Sequence, residues 1–150
     1  MKKKLKIGVV GCGRVFDHYQ KLFNTNKIPE IELVACCDKN KKVFDKLNNK
    51  KINKYQNLKD MLNKENLSLL IVLSPSGYHY EHCKIALKKK INVICEKPMS
   101  LRINHGKELI ELSKKNKTFY GVIFQNRLNN ALKFLKKKID NNELGKIIFC

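Results

Sequence analysis

Short apolar runs alternate with amphipathic stretches along nearly the whole sequence. The apolar runs carry no polar residue at every second position, which indicates strands that are covered on both faces. Regular alternation of such strands with helices favours an α/β fold built on a doubly wound parallel sheet. We predict strands at residues 5–10, 31–37, 52–55, 67–73, 91–95, 118–124 and 146–150.

The amphipathic stretches predict the helices between these strands. We expect helices at residues 14–26, 41–49, 58–64, 80–89, 101–116 and 128–139. On the first helix, Val15, Tyr19, Leu22 and Phe23 are predicted to share one face. The last predicted strand stops at residue 150 with nothing after it to pair with. We therefore expect the chain to be the front part of a longer protein.

The charge and the cysteines exclude several classes of protein. The net charge is +19, but only three of the 32 basic residues are arginines, which disfavours a nucleic-acid interface. No apolar run approaches the roughly 20 residues that cross a bilayer, so we expect no membrane association. The six cysteines form no C-x-x-C pair, so we expect no metal site. Buried free thiols and the lack of a signal peptide favour a cytoplasmic protein.

The glycine-rich turn Gly11-Cys12-Gly13 lies between the first predicted strand and the first predicted helix. Gly11 permits the tight turn, and Gly13 lets a pyrophosphate approach the backbone at the N-terminus of the helix. Phe16 stands where a third small residue is usual. Because that position packs the helix closely on the strand, we expect the helix to lie slightly farther from the sheet. This position predicts a dinucleotide-binding loop, with a plain structural turn as the alternative.

Asp38 ends the second predicted strand, 25 residues beyond Gly13. This spacing suits a carboxylate that binds ribose hydroxyls and repels the 2′-phosphate of NADP, so NAD is favoured over NADP. Lys39 follows directly and softens that preference. A role for Asp38 in capping the next helix stays open.

Two further strand ends carry polar side chains. The segment from Ser74 to His79 follows one strand, and Glu96-Lys97-Pro98 ends another. The carboxyl ends of parallel strands share one edge of the sheet, where ligands bind. A lysine at this edge can donate a hydrogen bond to a substrate hydroxyl or carbonyl, or relay its proton. The alternative is an ordinary surface turn.

These segments together resemble one enzyme family. The series GCGRV, CCD, SPSGYHYEHCKIAL, VICEKP and GVIFQNR resembles the N-terminal domain of the glucose–fructose oxidoreductase / inositol dehydrogenase / MocA (Gfo/Idh/MocA) family. The resemblance covers nearly all 150 residues. It implies an NAD(P)-binding Rossmann domain over residues 1–125. Residues 126–150 would then be the connecting helix and first strand of a truncated α+β domain.

The resemblance also implies a role for individual residues. Lys97 would be the catalytic lysine, beside both substrate and nicotinamide. The phosphates would be lined by Gly11, Gly13, Arg14 and Val15. Asp38 would bind the adenosine ribose, and Glu96 would lie near the nicotinamide ribose. The cofactor edge would comprise Ser74, Pro75 and His79, and the substrate side Gln125, Asn126 and Arg127.

By this resemblance the protein is an oxidoreductase that transfers a hydride between nicotinamide and a sugar, polyol or sugar-nucleotide. The stretch FQNRLNNALKFLKKKIDNNELGKI is most similar to members acting on nucleotide-linked amino-sugar acids, such as a UDP-amino-sugar acid. Family members use a second proton-handling residue from the C-terminal domain. They form homo-oligomers through the sheet of that domain. We expect His79, His82 and His105 to be structural or exposed. The alternative is a non-catalytic dinucleotide-binding module or a remnant.

Overall fold

A computed structural model describes residues 4–24, 28–47 and 51–148. Six parallel strands form one sheet within these residues. They are β1 (Leu5–Val10), β2 (Ile31–Cys37), β3 (Asn53–Tyr55), β4 (Leu69–Val72), β5 (Asn92–Glu96) and β6 (Tyr120–Ile123). The helices are α1 (Arg14–Asn24), α2 (Leu58–Lys64), α3 (His79–Lys88), α4 (Ile103–Asn116) and α5 (Asn130–Asp140). Short 3₁₀ helices occupy Lys41–Lys46, Ser76–Tyr78 and Gln125–Leu128.

The strand order is β3-β2-β1-β4-β5-β6. The chain runs outward from β1 to β3, then returns to the other side of β1 with β4. This reversal leaves a crevice outside the carboxyl ends of β1 and β4, where ligands of doubly wound sheets bind. The predicted doubly wound parallel sheet is confirmed.

The strand register brings the predicted site segments to one level. Val10 pairs with Cys37 of β2 and with Val72 of β4, and Val72 in turn pairs with Cys95 of β5. The residues that follow these four positions therefore leave the sheet side by side. The register alone places Gly11, Asp38 and Glu96 along one edge.

Two apolar clusters cover the two faces of the sheet. One cluster contains Ile7, Val9, Phe16, Cys36 and Phe44 among its buried members. The other is built around the side chains of Met61, Leu70, Leu87, Val93 and Leu109. Helices on both faces explain why the strands lack polar alternation.

The apolar side chains of α1 divide between the core and the crevice. Phe16 is only 2% exposed and packs in the core, with Tyr19 and Phe23 against the same cluster. Val15 and Leu22 are 39% and 43% exposed and line the crevice instead. Phe16, Tyr19 and Phe23 follow the i, i+3, i+7 spacing that defines one helical face.

The segment predicted as a helix over residues 41–49 is shorter and of a different type. It forms the 3₁₀ helix Lys41–Lys46, and residues 48 and 49 lie outside the described part of the chain. Its N-terminal cap is Asn40, whose side chain accepts a hydrogen bond from the backbone N–H of Lys42. Asp38 therefore does not cap this helix.

The strand predicted over residues 146–150 does not form where the chain is described. Residues 146–148 belong to no strand, and residues 149 and 150 lie outside the described range. Ile148 is 91% exposed. A segment forms a strand only when a neighbouring strand accepts and donates its backbone hydrogen bonds. No strand in the described part of the chain lies beside residues 146–148.

The described residues also bear on membrane spans and metal sites. Within residues 4–24, 28–47 and 51–148, no helix is both long and apolar enough to span a bilayer. The same residues contain no group of three or more His, Cys, Asp or Glu side chains arranged to hold a metal ion.

Candidate functional site

A large cavity lies along the carboxyl ends of β1, β2, β4 and β5. Its volume is about 1370 Å³, larger than the usual roughly 300–1,000 Å³ of sites for drug-sized ligands. Its walls include most of the residues predicted from the sequence. They are Gly11, Gly13, Arg14, Val15, Asp38, Ser74, Pro75, His79, Glu96, Lys97 and Gln125.

Gly11 and Gly13 serve the turn in different ways. Gly11 has a φ of +90°, and a Cβ on it would lie 2.4 Å from the backbone nitrogen of Ser74. A Cβ on Gly13 would meet no protein atom within 4 Å. The protein itself requires Gly11, whereas the space beside Gly13 is open to the cavity. That space suits the close approach of a phosphate to the backbone.

Asp38 is held by the glycine-rich turn. Its Oδ2 accepts a hydrogen bond of 2.8 Å from the backbone N–H of Cys12, and its Oδ1 accepts one of 2.9 Å from that of Asn40. Each carboxylate oxygen accepts more than one hydrogen bond, so both remain able to accept from a ligand. The carboxylate is fixed where β1 and β2 end, at one end of the cavity.

Basic and aromatic groups surround Asp38. Lys39 and Lys59 line the same cavity, and the Lys39 ammonium lies 4.9 Å from the centre of the Tyr78 ring. Tyr78 stacks on His82 with ring centres 5.8 Å apart. The sequence reasoning did not single out Tyr78. Its place between the predicted site residues Pro75 and His79 was the available signal.

Glu96 is oriented by two donors. The Tyr19 hydroxyl donates to Glu96 Oε1 over 3.1 Å, and the backbone N–H of Lys97 donates to Oε2 over 3.2 Å. Burial, and then the Glu96 carboxylate, raise the pKa of Tyr19 to about 12. Tyr19 therefore remains a donor throughout the neutral range. It was missed as a site residue because its helical spacing indicated only a core position.

Lys97 directly follows β5 and lines the cavity with an exposed side chain. Its bond to Pro98 is a cis peptide. The carbonyl of Pro98 accepts a hydrogen bond from the His79 ring nitrogen Nδ1 over 2.7 Å. The lysine thus sits on a loop that is tied to the start of α3.

The segment after β4 is anchored by two histidines. His79 Nε2 lies 2.7 Å from the Ser74 carbonyl oxygen, and His82 Nδ1 lies 2.9 Å from the Ser74 hydroxyl. Burial, followed by the neighbouring His79, lowers the pKa of His82. His105 lies away from the cavity and stacks on Tyr80 at 3.8 Å.

The three residues predicted on the substrate side separate in the structure. Gln125, Asn126 and Arg127 lie in the 3₁₀ helix that follows β6. Gln125 lines the cavity, and the other two do not. The Arg127 guanidinium packs over the Phe124 ring at 5.0 Å. The structure therefore brings only one of the three to the cavity.

The thiols near the site are unsuited to nucleophilic chemistry. A hydrogen bond with Cys36, together with burial, raises the pKa of Cys12 far above its usual value. Burial, and then the Asp38 carboxylate, raise the pKa of Cys37 to about 12. Since only a thiolate is a good nucleophile, Lys97 and Glu96 are the better candidates for reactive groups.

A family model for oxidoreductases with the NAD-binding Rossmann fold matches residues 5–124. The D-glucoside 3-dehydrogenase of Escherichia coli is 27% identical over 147 residues, which are 95% of this chain and 41% of that enzyme. This chain thus spans about two fifths of the length of the curated relatives it matches.

Solved structures of dehydrogenases also match this chain over nearly its whole length. Myo-inositol 2-dehydrogenase from Lactobacillus plantarum superimposes with a TM-score of 0.85 at 29% identity, over 97% of this chain and 44% of that one. The WlbA dehydrogenase from Chromobacterium violaceum, solved with NADH and UDP-GlcNAcA, gives 0.88 at 26% identity. The match covers 98% of this chain and 43% of that enzyme.

Proposed function

This chain belongs to the oxidoreductase family with the NAD-binding Rossmann fold, and on that premise we propose that it is the cofactor domain of a sugar or polyol dehydrogenase. The whole protein would transfer a hydride between nicotinamide and a sugar, polyol or sugar-nucleotide. Residues 1–125 would bind the dinucleotide, and residues 126–150 would begin the domain that completes the substrate site.

One observation carries this proposal. A single cavity contains the open glycine position Gly13, the carboxylates of Asp38 and Glu96, and Lys97. These four groups come from the ends of three different strands, β1, β2 and β5, at the same edge of the sheet, where dinucleotides bind to this type of fold. A plain structural turn would not explain why a lysine and two carboxylates converge on it.

The cavity residues divide by the part of the cofactor they would hold. Arg14 and Val15 line the cavity at the start of α1, so with Gly11 and Gly13 they would face the phosphates. Asp38 would accept hydrogen bonds from the adenosine ribose, and Glu96 from the nicotinamide ribose. The cavity wall between the two ribose positions would be formed by Ser74, Pro75 and His79.

The chemistry assigned to this chain centres on Lys97. When bound, NAD supplies the carbon that accepts or returns the hydride. Lys97 would donate a hydrogen bond from Nζ to the substrate oxygen on the reacting carbon and relay the hydroxyl proton. Gln125 would contact the substrate from the neighbouring strand end, and Asn126 and Arg127 would lie farther along that side.

The preference between NAD and NADP depends on the charges around Asp38. Its carboxylate disfavours a 2′-phosphate, so NAD is the proposed cofactor. Lys39 and Lys59 line the same cavity and reduce that discrimination. NADP binding would therefore be weaker than NAD binding rather than absent.

The proposed substrate class and assembly have separate support. Two relatives are named for a glucoside and for myo-inositol, and a third was solved with a UDP-sugar acid. A homo-oligomer is proposed because α5 and its flanks expose several large apolar side chains, namely Leu128, Leu132, Phe134, Leu135 and Leu144.

The proposed location is the cytoplasm. The five described cysteines are free and buried, which suits a reducing compartment.

Replacing Lys97 in the full-length protein tests the proposal. Lys97→Met should lower turnover of the best substrate from a panel of sugars, polyols and UDP-sugars by about 10²–10⁴-fold. NAD affinity should change only a few-fold. Lys115→Met, on the exposed face of α4, is the matched control and should behave as the parent.

Two results would contradict the proposal. Unchanged turnover in Lys97→Met would remove the lysine from the mechanism. NAD binding by the parent without turnover of any panel member would favour the non-catalytic module.

A further inference from the structure

His79 is buried among backbone carbonyl groups. It opens α3, and its side chain is 1% exposed. Its Nδ1 lies 2.7 Å from the carbonyl oxygen of Pro98, and its Nε2 lies 2.7 Å from that of Ser74. Both ring nitrogens are therefore engaged, and both partners are main-chain carbonyls.

This geometry restricts how many hydrogens the ring carries. A carbonyl oxygen accepts hydrogen bonds and cannot donate them, so each ring nitrogen must supply the hydrogen. A neutral imidazole has one N–H and one bare nitrogen, which would place two lone pairs against each other at 2.7 Å. The buried ring has no solvent to which that nitrogen could turn. Only the ring with hydrogen on both nitrogens makes both bonds.

The two carbonyls belong to functionally different segments. Ser74 lies two residues beyond the end of β4, beside the glycine-rich turn, and its backbone nitrogen would lie 2.4 Å from a Cβ on Gly11. Pro98 directly follows Lys97. One ring thus joins the segment packed on the cofactor turn to the loop that carries the lysine.

We propose that His79 is a positioning residue that carries hydrogen on both ring nitrogens and holds the Lys97 loop at a fixed place relative to the glycine-rich turn. The importance of that position rests on the proposed role of Lys97. The protonation state of His79 and its clamp on the loop do not depend on it. With hydrogen on both nitrogens, each bond to a carbonyl would be charge-assisted.

The neighbouring His82 provides an internal control. It lies one turn along α3 and pairs with a hydroxyl, which can donate or accept. Burial, and then His79, lower the pKa of His82. A single N–H on His82 satisfies its geometry, in contrast to the two required on His79.

Nitrogen-15 NMR of the histidine rings tests the first part. The sequence has four histidines, so the ring signals can be assigned through bonds to each backbone. At neutral pH in the unmodified chain, both nitrogens of His79 should carry hydrogen, and His82 should show one bare nitrogen. A bare ring nitrogen on His79 would overturn the proposal. This measurement needs no variant to fold and no substrate.

Hydrogen exchange tests the second part. In His79→Gln, the backbone amides of Glu96, Lys97 and Met99 should exchange at least about tenfold faster than in the parent, because the loop loses its tie to α3. His82→Gln, which removes the contact with the Ser74 hydroxyl and the stacking on Tyr78 but no contact with Pro98, should leave that loop unchanged. Parent-like exchange in His79→Gln, or equal acceleration in both variants, would contradict the clamp.

These readouts separate the two proposals. A doubly protonated His79 with a protected loop, in a protein that turns over no sugar, would uphold this inference and contradict the proposed function.

Discussion

Two glycines of one motif face opposite constraints. Gly11 has a positive φ, and a Cβ added to it would collide with the backbone of Ser74. A Cβ added to Gly13 would meet no protein atom within 4 Å. In the sequence they are equivalent members of one G-x-G pattern. Substituting each one separates what the fold requires from what the ligand requires.

Gly11→Ala should lower the free energy of unfolding by at least about 2 kcal/mol, because alanine is strained at this φ and its Cβ meets main-chain atoms. Gly13→Ala should change the free energy of unfolding by no more than about 0.5 kcal/mol. Urea unfolding of both variants and the parent measures the difference. Equal losses in the two variants would show that the turn differs from the one described.

Burial of the Tyr19 hydroxyl, and then its place beside the Glu96 carboxylate, predict a pH effect on stability. The pKa of Tyr19 rises from 10.0 to about 12 on folding, so the folded chain holds this proton more tightly than the unfolded chain. The resulting stability is fully present below about pH 10 and is lost as the pH rises through about 12. The Tyr19→Phe variant lacks this contribution.

The free energy of unfolding of the parent should therefore fall more steeply than that of Tyr19→Phe above about pH 10. Urea unfolding at several alkaline pH values measures both slopes. Tyr55, whose pKa is also raised to about 12, mainly by its hydrogen bond to Glu65, is present in both proteins and cancels in the comparison. Identical slopes would mean that the Tyr19 hydroxyl is not held in a buried position beside the Glu96 carboxylate in solution.

At the level of elements, Phe16 anchors α1 to the sheet. The motif usually has a small residue here, yet this phenylalanine is buried among Ile7, Val9 and Cys36. Phe16→Ala should destabilise the chain by about 3–5 kcal/mol. Val15→Ala, at the neighbouring position that is 39% exposed, is the control and should cost much less. Comparable losses in the two variants would contradict the described orientation of α1.

Sequence patterns predicted the bounds of some strands and helices but not of others. Strands β1 and β2 and helix α2 have the predicted bounds, because continuous apolar runs and a capping residue mark them locally. The segment at Lys41–Lys46 was predicted as part of a longer helix, since a few apolar positions do not distinguish α from 3₁₀ geometry. The sequence does not show which apolar side chains of α1 face the sheet, because Val15 and Leu22 are as apolar as those that do.

At the level of the whole molecule, the order of strands predicted the location of the site. The topological rule for doubly wound sheets places ligands at the carboxyl edge, and four predicted segments meet there. The contacts between these segments could not be predicted. The links from Asp38 to Cys12, Tyr19 to Glu96 and His79 to Pro98 join residues distant in sequence, so no local pattern encodes them.

Calorimetric titration of the chain with NAD and NADP tests the central claim, that this cavity is a dinucleotide site. The account predicts saturable binding of one NAD per chain, weaker binding of NADP, and a loss of NAD affinity of at least about tenfold in Gly13→Ala, where a methyl group would occupy the phosphate position. Gly77→Ala, also in open space but outside the cavity lining, should bind NAD as the parent does. A folded chain that binds neither dinucleotide, or a Gly13→Ala variant that binds NAD as tightly as the parent, would contradict the account.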